Sequence, residues 1–245
     1  MRMRKEKMVC HRGRMKIVGS IYIPDGDGPF PLLIYSHGFG WNYEEINLEH
    51  FADEGIAACR FDFCGGSGFS RSSGSMLNMS AMTEAEDLQA VLDYCLQDER
   101  FDKEKIFLTG NSQGGYVSTV VGIQRQQDVK ELFLLCPAYV ISDFKNTYFQ
   151  GKLPKHPFRF GGMLVGARYV MDVEQYPIYE HMRELNLPVT IYHGTADNMA
   201  PISYSEKAME YLPNANLMKI SGAGHMLSSH AAIIEKDMIE KIKAS

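Results

Sequence analysis

The stretch Gly110-Asn111-Ser112-Gln113-Gly114 places one serine between glycines, directly after an apolar run at residues 106–109. A serine on a sharp turn from a strand into a helix sits in a strained backbone conformation, and its neighbours two positions away must lack side chains. The turn lifts the hydroxyl above the sheet, and the helix that follows directs its positive end toward it. The pattern therefore predicts that Ser112 is a nucleophile for acyl transfer. The alternative is a tight turn with an incidental serine.

A serine hydroxyl needs a base within hydrogen-bonding distance, and histidine is the usable base near neutral pH. His225 follows the last predicted strand after a short glycine-rich loop, at the sheet edge where the serine turn lies. Asp197, in the loop after the preceding strand, supplies a carboxylate that can fix the imidazole tautomer. The chain order Ser112, Asp197, His225 is the order of an α/β-hydrolase triad. A metal site built from His193, Asp197 and His225 is the competing hypothesis, and it would take two of these residues away from the serine.

The oxyanion that forms during acyl transfer needs preorganised N–H donors. We expect one donor to be the backbone N–H of Gln113, and the other the N–H of Phe39, in the glycine-rich turn after the strand at residues 32–36. The alternative for this turn is an ordinary glycine-rich strand exit. A second glycine-rich segment, residues 61–75, lacks the Gly-Lys-Ser/Thr end of a phosphate loop and the spacing of a dinucleotide-binding loop. We therefore expect no cofactor and no metal.

Several predicted elements must bring these residues together. Short β-rich runs alternate with longer helical patterns, which is typical of a mainly parallel sheet covered by helices. The runs are almost continuously apolar, as expected for strands buried on both faces. Strands are predicted at residues 15–23, 32–36, 57–61, 106–109, 132–136, 189–193 and 217–220, and helices at 44–54, 83–97, 113–125, 201–212 and 231–243.

One segment interrupts this alternation. More than fifty residues separate the strand at 132–136 from the strand at 189–193, and a crossover helix needs far fewer. Residues 138–177 contain eight aromatic side chains in 40 positions, against 11% aromatic residues in the whole chain. One interpretation is a small satellite core. The interpretation that we prefer is a cap over the sheet whose aromatic side chains line a pocket, because long loops in compact domains are usually functional.

The amino-acid composition limits the cellular compartments and the classes of binding partner that we expect. The formal net charge of −5 predicts no nucleic-acid binding. Five cysteines, an odd number without a CxxC pair, favour a reducing cytoplasm over a disulfide framework or a zinc site. The first seven residues hold four Lys or Arg with no apolar signal core after them, so we interpret them as a solvated tail. The longest apolar run, residues 132–141, is too short to span a bilayer.

The chain resembles the serine esterases of the α/β-hydrolase superfamily over essentially its whole length, and within them the small bacterial cinnamoyl and feruloyl esterases. The matching pieces include HGFG, FDFCGGSG, GNSQGG, LLCPA, HGTADNMAP and GAGH. The resemblance implies an α/β-hydrolase fold with a mainly parallel central sheet of about eight strands, flanked by helices, and a cap inserted after strand 6. It places a single core domain at residues 1–137 and 178–245 and the cap at 138–177.

In those esterases, an acidic residue and a tyrosine of the cap bind the phenol of an aromatic acyl group. The resemblance places these two roles on Asp143 and Tyr169. The plainer interpretations are an acid at a helix N-terminus and an aromatic residue of the cap core.

The expected function is hydrolysis of carboxylic esters of aromatic, hydroxycinnamate-type or short acyl groups through an acyl-enzyme. The triad serves an acyl thioesterase or a serine peptidase equally well, and a non-catalytic binding protein on the same scaffold is the alternative from another class. The expected partner is a small-molecule ester, with no membrane involved. The oligomeric state stays open, and a homodimer is compatible with the sequence.

Overall fold

A computed structural model describes residues 3–245, without the side chain of Glu45. Ten strands are assigned within these residues: β1 Arg4–Arg12, β2 Met15–Ile23, β3 Phe30–Ser36, β4 Ala57–Phe61, β5 Phe101–Asn111, β6 Glu131–Leu135, β7 Phe158–Phe160, β8 Met163–Val165, β9 Val189–Gly194 and β10 Ala215–Ile220. The α-helices of the same part are α1 Glu49–Asp53, α2 Ala81–Leu96, α3 Gln113–Gln124, α4 Phe144–Thr147, α5 Arg168–Glu174, α6 Ile178–Met182, α7 Ile202–Ala208 and α8 Ala231–Ala244. Short 3-10 helices occupy Tyr43–Glu45, Gln126–Asp128, Tyr139–Asp143 and Ser228–His230.

Eight of the described strands form one sheet in the order β1-β2-β4-β3-β5-β6-β9-β10. Strands β1 and β2 run antiparallel to their neighbours, and all pairs from β4 to β10 are parallel. The central strands are buried on both faces, as their continuous apolar runs predict. Strand β10 is an exception, because it lies at the edge and its residues are exposed or half-buried. The carboxyl ends of β3, β5 and β9 meet at the same edge of the sheet, which is where the candidate site forms.

The prediction of a solvated tail at the start of the chain is wrong. Residues from Arg4 onward pair with β2 as the edge strand β1, while Met1 and Arg2 lie outside the described residues. In β1, Met8 and Cys10 point into the core and the residues between and before them face solvent. The long basic side chains occupy exposed positions, so their charge does not oppose strand pairing.

The predicted helix at residues 44–54 is broken into a 3-10 turn and α1. The Asn42 side chain accepts a hydrogen bond from Glu44 N at 2.9 Å, and the Asn47 side chain accepts one from Glu49 N at 2.9 Å. Between them, Ile46 is extended, with φ −116° and ψ 125°. Asparagine side chains compete with helical backbone bonds in this way, and each one here starts a new short element.

Helix α3 runs through the centre of the molecule. It begins directly after β5, and ten of its twelve residues, Gln113 to Gly122, are buried between the sheet and α2. Helix α2 has a capping box, in which the Ser80 hydroxyl accepts from Thr83 N and the Thr83 hydroxyl accepts from Ser80 N. These caps fix the N-terminus of α2 beside the start of α3.

The long segment between β6 and β9 contains α4, the hairpin β7–β8 and α5. Its aromatic side chains form a satellite cluster, which we call the insertion cluster: Phe144, Val165, Tyr169 and Val170 with Met76 and Met79, flanked by Phe39, Phe149, Phe158, Phe160 and Met163. The cluster thus includes Phe39 from the loop after β3. The aromatic enrichment at residues 138–177 builds a core of its own and at the same time covers the sheet edge where β3 ends.

Two further predictions concern burial and membrane insertion. All five cysteines are buried and free of disulfides in the described chain. Within residues 3–245, we find no helix with the length and apolarity that crossing a bilayer requires.

Candidate active site

Ser112 lies on a strained turn between β5 and α3. Its φ is 55° and its ψ −119°, a left-handed conformation that a residue with a side chain rarely adopts. A Cβ atom on Gly110 would lie 2.3 Å from the carbonyl oxygen of Gly114, and one on Gly114 would lie 2.1 Å from the carbonyl oxygen of Ser36. Both glycines of the motif are therefore sterically required, and the turn has the geometry that the sequence predicts.

Replacing Gly114 by alanine tests this requirement. The new methyl group must push aside the carbonyl groups of Ser36 and His37, which lie 2.1 and 2.6 Å from its position and belong to backbone. We expect a loss of about 1–3 kcal/mol of stability, or a melting temperature lower by roughly 4–10 °C. Thermal unfolding of the purified variant measures it. Gly68→Ala is the matched control, because a Cβ there meets nothing within 4 Å. Equal melting temperatures for the two variants would contradict the steric account.

His225 and Asp197 are hydrogen-bonded, with His225 Nδ1 2.7 Å from Asp197 Oδ2. The other oxygen, Oδ1, accepts from the backbone N–H groups of Met199 and Ala200, both at 2.9 Å. Burial alone would raise the pKa of Asp197, but hydrogen bonds from His193 and His225 outweigh it and hold the pKa well below its ordinary value. The carboxylate is therefore charged at neutral pH, and it fixes the imidazole with Nδ1 as the protonated nitrogen.

His193 supports this loop from behind. Its Nε2 lies 2.8 Å from the carbonyl oxygen of Ala200 and 3.3 Å from Asp197 Oδ2, and its Nδ1 lies 2.9 Å from Ser205 Oγ. The side chain is fully buried. The ring therefore orders the turn that carries Asp197, which is the role its position at the end of a predicted strand suggests.

One buried group of potential metal ligands adjoins the site, formed by Cys136, His193 and Asp197, whose donor atoms all lie within 4.8 Å of one another. Burial raises the pKa of the Cys136 thiol to about 12, and the negative charge of Asp197 adds to the effect. Metal ions bind the thiolate, so a thiol that keeps its proton at neutral pH is a poor ligand. The Nε2 atom of His193 is also occupied by Ala200. Cys136, His193 and Asp197 therefore fit a hydrogen-bonded support for the acid loop better than a cation site. The alternative metal site of His193, Asp197 and His225 is also disfavoured, because the His225 ring lines the cavity that contains Ser112.

Ser112 and His225 line one cavity of 220 Å³. The cavity wall includes Gly38, Phe39, Trp41, Asn111, Gln113, Ala138, Val140, Ile141, Phe144, Phe160, Gly161, Tyr169, Met199, Ala200 and Met226. In the part of the chain that the structure describes, no hydrogen bond joins the Ser112 hydroxyl to the His225 ring. The two side chains line the same cavity, and Nδ1 of His225 is engaged with Asp197, so Nε2 is the nitrogen left for the serine.

The loop after β3 passes directly beside the nucleophile. A Cβ atom on Gly38 would lie 3.3 Å from Ser112 Cβ, so a side chain there would crowd the nucleophile. Phe39 and Gln113, the two predicted oxyanion donors, both line the cavity. Gln113 is the first residue of α3, and N–H groups in the first turn of a helix have no intrahelical acceptor.

His37 holds this loop in place. Its Nδ1 donates to the carbonyl oxygen of Gly38 at 2.8 Å, and its Nε2 accepts from Phe63 N at 3.2 Å. Both bonds fit the neutral ring, and burial lowers the pKa of His37 accordingly. The turn at Gly38 and Phe39 is thus fixed by a side chain that sequence reasoning did not single out.

The structure separates the two residues that the resemblance assigns to phenol binding. Tyr169 lines the cavity, and its hydroxyl donates to Gln113 Oε1 at 2.5 Å. Asp143 is half-buried and, among the described residues, lies outside the cavity wall. Its carboxylate accepts hydrogen bonds from Asn146 Nδ2 at 2.8 Å and from the Tyr204 hydroxyl at 3.2 Å.

The model of the prolyl oligopeptidase family, peptidase S9, matches residues 41–241, which is most of the chain. The chain belongs to this family. The matched span contains the serine turn with Ser112, the loop with Asp197 and the loop with His225. The match begins after Phe39, so the loop that carries this residue lies outside the matched span.

Solved structures with the same fold can be superposed on almost the whole length of this chain. Est1E from Butyrivibrio proteoclasticus, solved with ferulic acid bound, superposes with a TM-score of 0.86 at 23% identity, over 96% of this chain and 99% of that one. A monoacylglycerol lipase from Paleococcus ferrophilus gives 0.68 at 14% identity, over 99% and 98%. At these identities the likeness establishes the fold. The predicted α/β-hydrolase fold, with its eight-stranded and mainly parallel sheet, is confirmed.

Relatives found by sequence share a similarly low identity with this chain. An uncharacterised 31.7 kDa protein of Escherichia coli is 29% identical over 113 residues, which is 44% of this chain and 38% of the relative. The matched segment thus spans well under half of that protein's length. A putative α/β hydrolase, L404, of Acanthamoeba polyphaga mimivirus is 22% identical over 231 residues, 91% of this chain and 76% of the other.

Proposed function

We propose that the protein is a serine hydrolase that cleaves carboxylic esters through an acyl-enzyme on Ser112. One observation carries the proposal. Ser112, held on a strained turn, shares a cavity with His225, whose far nitrogen is fixed by the buried carboxylate of Asp197. A receptor would not need these three groups in one place together with the N–H groups of Phe39 and Gln113 beside them.

The first half of the reaction transfers the acyl group to the enzyme. Nε2 of His225 takes the proton of the Ser112 hydroxyl while the oxygen attacks the ester carbonyl, and Asp197 stabilises the imidazolium that forms. The serine and histidine must come within hydrogen-bonding distance for this step. In free enzymes such contacts are often long and tighten only with substrate bound.

Collapse of the tetrahedral intermediate expels the alcohol and leaves the acyl group on Ser112. The backbone N–H groups of Phe39 and Gln113 donate hydrogen bonds to the oxyanion of the intermediate, and His225 gives its proton to the leaving alcohol. A water molecule then attacks the acyl-enzyme with the same histidine as base. It releases the carboxylic acid and restores the Ser112 hydroxyl.

The cavity wall supports an aromatic or short acyl group. Its volume of 220 Å³ exceeds that of a cavity of about 150 Å³ that binds benzene in another protein. Phe39, Phe144, Phe160 and Tyr169 supply aromatic faces. The bound ferulic acid in Est1E, a protein of the same fold, agrees with this size and chemistry. A substrate contact from Asp143 would require its side chain to leave its present partners.

A panel of substrates tests the proposal. We expect kcat/KM for methyl ferulate to exceed that for p-nitrophenyl acetate after correction for their intrinsic reactivities, because only the former fills the aromatic cavity. A strong preference for the acetate would leave a serine esterase but remove the aromatic specificity.

Amide cleavage is the second candidate, and the match to a peptidase family is the observation that favours it. A peptide anilide and an acyl-CoA belong in the same panel. If either is cleaved with a higher kcat/KM than every ester, the protein is a peptidase or a thioesterase that uses the same triad.

A further inference from the structure

Three polar side chains from three separate segments form a buried chain of hydrogen bonds behind the nucleophile. The Tyr169 hydroxyl of α5 donates to Gln113 Oε1 at 2.5 Å, and Gln113 Nε2 donates to Glu84 Oε2 of α2 at 2.6 Å. Each of the three residues is 1% exposed. Both ends of the Gln113 amide are therefore used, and rotating this side chain would leave buried polar groups unpaired.

We propose that Glu84 is a positioning residue, which acts through the Gln113 side chain to hold the oxyanion donor at the start of α3 and the cavity wall at Tyr169. The proposal rests on the proposed function. Gln113 supplies the main-chain N–H that faces the oxyanion, and its side chain is anchored to Glu84. The position of α2 therefore determines the positions of the Gln113 N–H and of the aromatic side chain of Tyr169.

The insertion is attached to the same helix end. The Ser80 hydroxyl, at the N-cap of α2, donates to Asp172 Oδ2 of α5 at 2.6 Å. The N–H of Gly166 donates to the Met76 carbonyl at 3.2 Å, and a Cβ on Gly166 would lie 1.9 Å from the Leu77 carbonyl oxygen. These contacts place α5 firmly against the segment that leads into α2, so Tyr169 and Glu84 keep a fixed separation with Gln113 between them.

The protonation state of Glu84 determines whether a neutral carboxyl or a negative carboxylate lies next to the Gln113 side chain, behind the proposed oxyanion site. Burial raises the pKa of Glu84 to about 8, against the opposing effect of the bond from Gln113 and with a smaller upward contribution from Asp87. Asp87, one turn along α2, is paired with Arg12 at 2.6 Å. No described cation bonds Glu84 directly, and with its pKa raised to about 8 the carboxyl is mostly protonated at pH 7.

The groups facing Glu84 from other segments are neutral as well. A Cβ on Gly66 would lie 3.1 Å from His37 Cε1 and 3.3 Å from Glu84 Oε1, which places the His37 ring close to the carboxyl. Burial lowers the pKa of His37, and burial raises that of Tyr169, so neither is charged near neutral pH. Ionisation of Glu84 therefore adds an unscreened negative charge on the far side of Gln113 and opposes the developing oxyanion.

The test is the pH dependence of kcat/KM from pH 6 to 10, measured for four proteins. In the wild type we expect kcat/KM to fall about tenfold or more as the pH rises through 8. Glu84→Gln keeps an acceptor for Gln113 and cannot ionise, so this fall disappears. Glu84→Leu removes the acceptor, and we expect kcat to fall about tenfold to a hundredfold at pH 7. Glu86→Gln is the matched control on the exposed side of α2 and follows the wild type.

Two results would overturn the role of Glu84: the same alkaline fall in Glu84→Gln as in the wild type, or a Glu84→Leu variant with the kcat of Glu84→Gln. If Glu84→Leu does not fold, Tyr169→Phe frees the other end of the Gln113 amide, and an unchanged kcat and KM there counts against the proposal. A wild type without Ser112-dependent turnover refutes the proposed function itself. Wild-type turnover with an unaltered profile in Glu84→Gln refutes the positioning role alone.

A second readout does not depend on turnover. A carboxyl whose pKa is raised in the folded state contributes stability below its unfolded pKa, and this stability is lost as the pH rises through the folded value. The melting temperature of Glu84→Gln minus that of the wild type should therefore grow between pH 5 and about 8. A difference that stays constant over this range would show that Glu84 does not titrate as a buried neutral acid.

Discussion

Replacing Ser112 by alanine is expected to lower ester turnover by about four to six orders of magnitude, with little change in melting temperature. The reason is that the acyl-enzyme needs this oxygen, and the remaining oxyanion donors and cavity provide only a small part of the rate enhancement. The measurements are kcat/KM on a p-nitrophenyl ester and mass spectrometry after treatment with a fluorophosphonate. We expect one covalent adduct, on the peptide containing residue 112.

The matched control for this variant is Ser118→Ala. Ser118 is a buried serine of α3, the helix that follows Ser112, and it lies outside the cavity wall that contains Ser112. Wild-type activity in Ser112→Ala would refute the nucleophile. Failure of the wild-type protein to react with the fluorophosphonate would instead favour the hypothesis of a non-catalytic binding protein on a hydrolase scaffold.

Asp197→Asn is expected to lower kcat by about 10⁴ while the protein stays folded. The asparagine oxygen can still accept from the N–H groups of Met199 and Ala200, so the loop keeps its anchor. Its amide nitrogen then faces His225 Nδ1 and must donate to it, which moves the ring proton to Nε2. The histidine is left without a free base for the Ser112 hydroxyl.

Turnover and thermal unfolding of Asp197→Asn separate catalysis from folding. Because the pKa of Asp197 lies well below its ordinary value, the wild-type carboxylate stays charged at neutral and alkaline pH. The defect should therefore persist across that range instead of appearing at one pH. Asp93→Asn, a change of the same kind at an exposed ion pair with Arg125, is the control. A kcat for Asp197→Asn within tenfold of the wild type would contradict the role of this carboxylate.

The serine turn and the central strands could be predicted from the sequence because each depends on neighbouring residues. The turn requires Gly110 and Gly114, only two positions from Ser112, and the steric demand on them is local. The central strands can be recognised as continuous apolar runs, because helices cover both faces of a central parallel strand. The loops that carry Asp197 and His225 follow from the strand order, because parallel strands end at one edge.

Other features depend on partners that lie far away in the chain. Strand β1 was hidden because its exposed basic residues look like a tail until β2 pairs with them. Glu84 falls among the polar positions of an ordinary amphipathic helix, and its partner Gln113 lies 29 residues further along. Tyr169 is 56 residues beyond Gln113, so an aromatic cluster could be foreseen but not the hydrogen bond it makes.

In the proposed mechanism, the main chain and the side chain of Gln113 have different tasks. Every amino acid except proline carries a backbone N–H, so most replacements at this codon would keep the anion-stabilising group while releasing the tyrosine and the glutamate that the amide now holds. Under this mechanism, such replacements would change the aromatic wall at Tyr169 and would also lower kcat. Position 113 is therefore one at which this mechanism would let the cavity wall change while the main-chain donor is kept.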